Sequence, residues 1–338
     1  MSLLPYLHRV AAGSDLSAEE AHQAMGVLLE GQAGEAEIAG FLVAVKMKGE
    51  TAAEIAGFAR AMRDRMIVVD AGPDVIDTCG TGGDNSGTFN ISTAAAIVMA
   101  GAGAHVAKHG NRSISSNSGS ADVLEGLGVR VTGLTPEESA RSIREIGLGF
   151  LLAPALHPAM KHAQAVRKAL KTRTVFNLLG PLVNPARAGV QLIGAPSPEA
   201  AQLMAEALAE LGTRRSFVVH GQDGLDEITT TAATDVYEVT GQGVSRHIWR
   251  PSDFGVNTSD LDSLKGGDPA CNAQMIVEIL GGIPGPRRDI VLVNAAAGLL
   301  AAGLAADVRA GMELAARSID SGAALGKLES LKKNFPAG

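Results

Sequence analysis

The sequence is poor in cysteine, carries no excess of basic charge and has no long unbroken apolar run. Its two cysteines, Cys79 and Cys271, lack metal-ligand spacing and are too few for a disulfide framework, so a reducing cytoplasm is the expected compartment. Lysine and arginine number 29 against 36 aspartates and glutamates, a net charge of −7. That balance removes the general electrostatic footprint of a DNA- or RNA-binding protein. An anionic ligand must then be met by a local arrangement of donors, which suits a small phosphorylated metabolite better than a polymer. The most apolar stretches are broken by glycine or charge, and "MSLLPYLHRV" at the start has no apolar core of signal-peptide length with a cleavage pattern. Neither a membrane span nor a targeting signal is expected. Repeats and low-complexity tracts are absent as well.

What is present is ample apolar material: 46% of 338 residues, enough to fill one large domain or two ordinary ones. Residues 1 to about 70 read as helices only. Ser17 with Glu20, and Thr51 with Glu54, have capping-box spacing, in which hydroxyl and carboxylate satisfy each other's free amides. Between them "EAEIAGFLVAVKMKG" keeps helical periodicity and stops at Gly49. From "MIVVDAGPDVIDTCG" onward, short β-branched runs ("HVAKHG", "VQLIGA", "SFVVHG") alternate with Ala- and Leu-rich segments. Thr135, Pro136 and Glu138 open one further helix, and Ser197 with Pro198 another. This alternation predicts an α/β class with a mostly parallel central sheet, preceded by a small helical subdomain.

Five stretches carry candidate chemistry. In "GTGGD", Gly80, Gly82 and Gly83 stand between a predicted strand and a predicted helix, where bare backbone amides form an anion-binding nest. The spacing matches neither the dinucleotide fingerprint nor the Walker loop, and a purely structural turn accounts for the glycines equally well. "NIST" then sets Asn90, Ser92 and Thr93 at the next helix start; capping by Ser92 or Thr93 alone is the plainer reading. "KHGNRSISSNSGSADVLEGLG" offers Lys108 and Arg112 to neutralise phosphate, with Ser113, Ser115, Ser116 and Ser120 as small donors, Ser120 being placed to cap the helix running to Gly128. A solvated serine-rich loop is its plain alternative. Two such loops, each after a strand in one half of the chain, argue for a shared crevice, because parallel strands deliver their C-terminal loops to one side. "DGLDE" sets Asp226 beside Glu227 at a strand end, a polar turn or a magnesium-holding pair. In "APALHPAMKHAQAVRKALKTRTVFNLLGPLVNP", His157, Met160 and Arg167 could line a pocket for an aromatic acid, with Arg167 pairing its carboxylate; a packed histidine and an exposed helix arginine are the alternatives. "LLGPLVNP" reads as a stiff connector back into the sheet.

Taken together and in this order, "GTGGD", "NIST", "KHGNRS", "GSADVLE", "HPAMK", "RTVFNLLGPL" and "DGLDE" resemble the anthranilate phosphoribosyltransferase family over almost the whole chain. Nucleoside phosphorylases share the architecture but word the glycine loop differently. The resemblance implies a small all-helical domain, residues 1–70 with a returning segment near 165–188, hinged to an α/β domain over 71–338, in a homodimer formed through the helical part. It implies phosphoribosyl pyrophosphate (PRPP) at Gly80, Gly83, Asp84, Thr88, Asn90, Ile91, Ser92, Thr93, Lys108, His109, Gly110, Asn111, Arg112, Ser113, Ile114, Ser115, Ser116 and Ser120. Anthranilate is implied at Gly80, Asn111, His157, Pro158 and Arg167. Mg2+, two ions per monomer, is implied at Ser92, Asp226 and Glu227, and Lys108 and His109 are the candidate catalytic residues. No nucleic-acid or membrane partner is expected. One departure stands out: where the family commonly has glycine before the "RT" block, this chain has Lys171 and Thr172.

Overall fold

The computed structural model describes residues 2–337 except Gly83, Asn85 and residues 114–116. The chain opens with four helices, Leu4–Ala11, Ala18–Leu29, Glu35–Lys48 and Ala52–Arg63. Both expected capping boxes form, at Ser17/Glu20 and Thr51/Glu54. Glu54 does more than cap: fully buried, it also accepts from the Leu16 amide at 3.0 Å and from Lys48 Nζ at 2.9 Å, tying three helices together. Helix Glu35–Lys48 ends at Gly49, whose φ of 88° is left-handed territory that a glycine enters without strain.

Seven strands follow: β1 Val75–Gly80, β2 His105–Gly110, β3 Leu148–Leu152, β4 Val190–Gly194, β5 Arg215–Gly221, β6 Thr234–Thr240 and β7 Gly243–Trp249. They form one sheet in the order β3-β2-β1-β4-β5-β6-β7. The pairings from β3 across to β5 are parallel, and β6 and β7 are added antiparallel at one edge. The expected mostly parallel sheet with a separate helical bundle is what is observed. The strand order reverses between β1 and β4, which pair from Ile76↔Val190 to Gly80↔Gly194. In an open α/β sheet that reversal leaves a crevice at the carboxyl ends of the two strands, the usual place for a ligand.

The helix Ile91–Gly101 that follows the β1 loop is buried along nearly its whole length and packs with helix Pro286–Ala301 in the main core. A second core joins Met25, Phe41 and Phe58 of the first helices to Val166, Phe176 and Leu182 from the connection between β3 and β4. That connection, with helices Lys161–Leu170 and Phe176–Leu179 and the 3-10 turn Gly180–Val183, therefore packs on the helical bundle although both its ends belong to the sheet. Among the described residues, no helix is long and apolar enough to cross a membrane.

Two helix starts differ from expectation by a residue or so. Ser120 does not cap its helix: Ser120–Gly126 begins on it, after Gly119, and the Asp122 carboxylate takes the Gly119 amide at 2.9 Å. The Ser120 hydroxyl instead donates to the Asn111 carbonyl at 3.2 Å. Likewise Asn90, not Ser92 or Thr93, precedes helix Ile91–Gly101, so capping is not what those two hydroxyls do.

Candidate active site

The glycine loop leaves β1 at Gly80, and its shape is set by the neighbouring "DGLDE" turn after β5. A Cβ on Gly80 would lie 2.4 Å from Asp226 Oδ2, and one on Gly194 would lie 1.5 Å from the Asp226 carbonyl oxygen. Both strand ends at the sheet reversal are thus bare so that the acidic turn can lie across them. Asp226 Oδ2 then accepts from the Gly82 amide at 2.8 Å, binding one loop to the other. Gly83 falls outside the described residues.

Three carboxylates gather here. Burial pushes Asp226 up to about 7, helped by the charge of Asp84, while the Gly82 amide pulls the other way. Burial pushes Glu227 up to about 8, with Asp226 and Asp84 adding to it against the opposing charge of Lys108 and the Ser92 amide. Buried acids with so little compensating charge are short of a cation. Among the described residues, no three His, Cys, Asp or Glu side chains form a closed metal cage. An adjacent carboxylate pair with the Ser92 hydroxyl nearby suits Mg2+, a hard ion that keeps several waters and completes its shell with substrate phosphate oxygens.

A stability test follows from these acids. Their folded pKa values lie above those of carboxyls in water, so on raising the pH the unfolded chain sheds protons first. Their contribution is fully present below about pH 4 and is lost by about pH 8. The metal-free protein is expected to melt lower at pH 8 than at pH 6, and Mg2+ to raise the melting temperature more at pH 8. Scanning calorimetry on wild type and Asp226→Asn checks this; equal slopes in the two proteins would refute it.

Lys108 projects from β2 into the same space and is nearly fully buried. Its ammonium donates to the Thr78 carbonyl at 2.6 Å and to Ser92 Oγ at 3.2 Å. Burial lowers its pKa, while Cys79, Asp77 and Glu227 resist that. Asp77, fully buried on β1, accepts the His109 amide at 3.0 Å, which fixes the β2 end against β1. Sequence reading quoted Asp77 without giving it a task. Its burial depends on the β1–β2 pairing, which no local pattern displays.

His109 Nδ1 lies 3.2 Å from the Gly180 carbonyl, so Nδ1 carries the proton and Nε2 keeps a lone pair with no partner among the described residues. Burial and the neighbouring His157 hold His109 down to about 3, and burial holds His157 down to about 4. The two rings are 5.2 Å apart, both neutral near pH 7, and His157 Nε2 is also unpartnered among the described residues. Pro158 starts the short turn after His157. The "LLGPLVNP" connector does more than stiffen the chain: besides holding His109, it accepts Arg63 Nε at the Leu182 carbonyl, and Asn184 donates to the Ala107 carbonyl.

The remaining expected residues fall into three groups. Asn90 is held by Ser118 and Asn272, Asp84 accepts the Ser86 amide, Thr88 bridges to Lys265, and Ile91 and Thr93 are buried at the helix start. Gly110 leaves room for Ser120 Oγ, which a Cβ would approach to 2.2 Å. Arg112 is committed elsewhere, to Asp122 at 3.0 Å and Glu125 at 2.7 Å, and Asn111 Oδ1 takes its amide. Ser113 donates its amide to Asp122, and Ile114, Ser115 and Ser116 lie outside the described residues.

Arg167 is half-buried, its guanidinium 5.0 Å from the centre of the Phe176 ring, and it makes no ion pair among the described residues. Burial lowers its pKa. A desolvated guanidinium on an aromatic face, with no carboxylate partner among the described residues, could hold an organic acid. Its segment borders the strand-end loops at two points: His157 against His109, and Arg173 at the Gly82 carbonyl.

The unexpected Lys171 closes helix Lys161–Leu170 with φ 48° and ψ 32°, the left-handed geometry in which glycine is at ease. The neighbouring Thr172 Oγ1 takes Lys46 Nζ at 2.5 Å, so the turn is tied to the helical bundle despite its departure. Lys171→Gly is expected to stabilise the fold by about 1 kcal/mol, since a side chain in this conformation costs ~1–2 kcal/mol and the more flexible unfolded chain returns part of the gain. Urea denaturation checks this; a destabilised variant would show that Lys171 makes contacts worth more than its strain.

The helical bundle and the mostly parallel sheet are the two parts of a glycosyl transferase family. The helical bundle domain of a glycosyl transferase family matches residues 4–66, and the a/b domain of the same family matches residues 72–325. The anthranilate phosphoribosyltransferase of Solibacter usitatus is 58% identical over 98% of both chains. The crystal structure of that enzyme from Thermus thermophilus superposes with a TM-score of 0.91 at 42% identity, covering 97% of this chain and 98% of its own. The Saccharomyces cerevisiae enzyme in complex with PRPP and Mg gives 0.90 at 31% identity, covering 98% and 97%, and it has also been solved with 4-fluoroanthranilate. The chain belongs to the anthranilate phosphoribosyltransferase family.

Proposed function

We propose that this chain transfers the phosphoribosyl group of PRPP to the amine of anthranilate, giving N-(5'-phosphoribosyl)-anthranilate and pyrophosphate in tryptophan biosynthesis. The observation that carries the reading is the convergence at the sheet reversal of a bare glycine loop, a buried lysine and a charge-deficient carboxylate pair, bordered by a segment whose Arg167 guanidinium makes no ion pair among the described residues. In this reading Gly80, Gly83, Asp84, Thr88, Asn90 to Thr93, Lys108 to Ser116 and Ser120 receive PRPP, and Gly80, Asn111, His157, Pro158 and Arg167 receive anthranilate. Ser92, Asp226 and Glu227 hold Mg2+, two ions per protomer. When bound, Mg2+ supplies positive charge to a departing pyrophosphate.

The chain's own groups do the rest. Displacement at an anomeric carbon develops positive charge on the sugar and negative charge on the leaving group, so fixed donors aimed at the leaving group lower the barrier most. Glycine-loop amides and Lys108 serve that purpose. Arg167 orients the acceptor by its carboxylate, and holding both reactants aligned replaces a bimolecular encounter. The aromatic amine is neutral at pH 7 and attacks without prior deprotonation. The free Nε2 of neutral His109 can take the proton afterwards.

The two units are residues 1–70 with 165–188, and 71–338, closing on each other over the substrates to exclude water. The protein works as a cytoplasmic homodimer joined through the helical unit. Loss of anthranilate fluorescence on mixing with PRPP and Mg2+ tests the reaction. Rapid loss abolished by EDTA is expected; no loss from a correctly folded protein overturns it.

A further inference from the structure

The crevice contains one contact across it to which the proposed chemistry gives no role. We infer that Arg173 is a positioning residue for the glycine loop, holding Gly82 from the facing segment; this rests on the reading that the loop receives PRPP. Arg173 donates through Nη2 to the Gly82 carbonyl, and the Gly82 amide donates to Asp226 Oδ2 at 2.8 Å. Gly82 has φ 71°, and a Cβ there would meet nothing within 4 Å. A residue so unconstrained by its surroundings is held, among the described residues, through its own peptide groups, one from each side of the crevice.

Arg173 is itself exposed and makes no ion pair among the described residues, so its charge is not committed to a structural carboxylate. Its backbone, in contrast, is braced. Thr172 before it takes Lys46 Nζ, and the Thr174 amide after it donates to Asn177 Oδ1 at 3.0 Å. A guanidinium carried on a braced stretch of backbone can impose position on the loop it bonds. Glycine loses more backbone freedom on ordering than any other residue, and a loop already held loses less when its ligand arrives.

The test compares full-length wild type, Arg173→Ala and Arg173→Lys by calorimetric titration with PRPP and Mg2+, by steady-state kinetics and by melting temperature. Loss of one hydrogen bond from a charged donor should weaken PRPP binding, and raise its KM, by about tenfold. The anthranilate KM and kcat should stay within about twofold, and the melting temperature of an exposed-site variant should not move. Arg173→Lys, which can still donate one hydrogen bond, should recover part of the affinity. Unchanged PRPP affinity in Arg173→Ala overturns the inference, as does a loss accompanied by a matching fall in melting temperature. Wild-type turnover read alongside separates the two claims: an inactive wild type removes the proposed reaction, while the PRPP titration still decides Arg173.

Discussion

Asp226→Asn combined with Glu227→Gln is expected to lower kcat/KM by about a thousandfold or more, and at the same time to make the metal-free protein more stable at pH 8. The first effect follows from the leaving group. Pyrophosphate departs with several negative charges, and interactions with such charge in a water-excluded site are worth ~3–4 kcal/mol each in the transition state. Amides in place of carboxylates keep the shape of the turn and the Gly82 contact but cannot hold a divalent cation. The second effect has the opposite sign because the acids, raised to about 7 and about 8, burden the fold at high pH until a cation arrives. Steady-state kinetics over a range of Mg2+ and calorimetry at pH 8 measure both. An active double variant would remove these carboxylates from the mechanism, and an inactive but destabilised one would mean that they serve the fold instead.

Gly194→Ala should have the second-largest effect, although Gly194 donates nothing to a substrate. A methyl group there would lie 1.5 Å from the Asp226 carbonyl oxygen, a backbone atom that cannot rotate away. Overpacking of this kind costs ~1–3 kcal/mol even where side chains can yield. Here the whole acidic turn has to lift from the sheet, taking Asp226 away from Gly82. A hundredfold or greater loss of kcat/KM is expected, roughly the value of one misplaced catalytic donor, with a melting temperature several degrees lower. Gly180→Ala is the control, since a Cβ on Gly180 meets nothing within 4 Å. Wild-type activity in Gly194→Ala would show that the turn has another resting place.

Much of this was legible from the chain alone. The capping boxes at Ser17/Glu20 and Thr51/Glu54 are local devices, written in four residues, and they form as read. The alternation of β-branched runs with helices required a parallel sheet, and "GTGGD", Lys108 and "DGLDE" do meet at its carboxyl end. What sequence did not reveal depends on which elements become neighbours. Asp77 matters because β2 lies beside β1, and Gly194 because the β5 turn crosses it. Arg173 matters because a segment 91 residues away in the chain folds against the glycine loop. Arg112 was read from its charge as a phosphate ligand, and what sequence did not reveal is that it pairs with Asp122 and Glu125, which the same local sequence supplies. Ser120 is no cap because the helix begins on it, after Gly119, whose amide the Asp122 side chain takes from within the helix.

The connection between β3 and β4 leaves the sheet, packs on the helical bundle and returns. The parts assigned to the sugar donor sit on loops after β1, β2 and β5, whereas the guanidinium assigned to the acceptor rides on that excursion. Three of the positions proposed for the acceptor, His157, Pro158 and Arg167, therefore lie in one length of chain, while Gly80 and Asn111 belong to the loops proposed for the donor. A chimera exchanging only residues 153–170 for the corresponding stretch of a relative would keep Arg173 at the glycine loop and Gly180 at His109, and so retain its grip on the activated sugar while being free to meet a different amine.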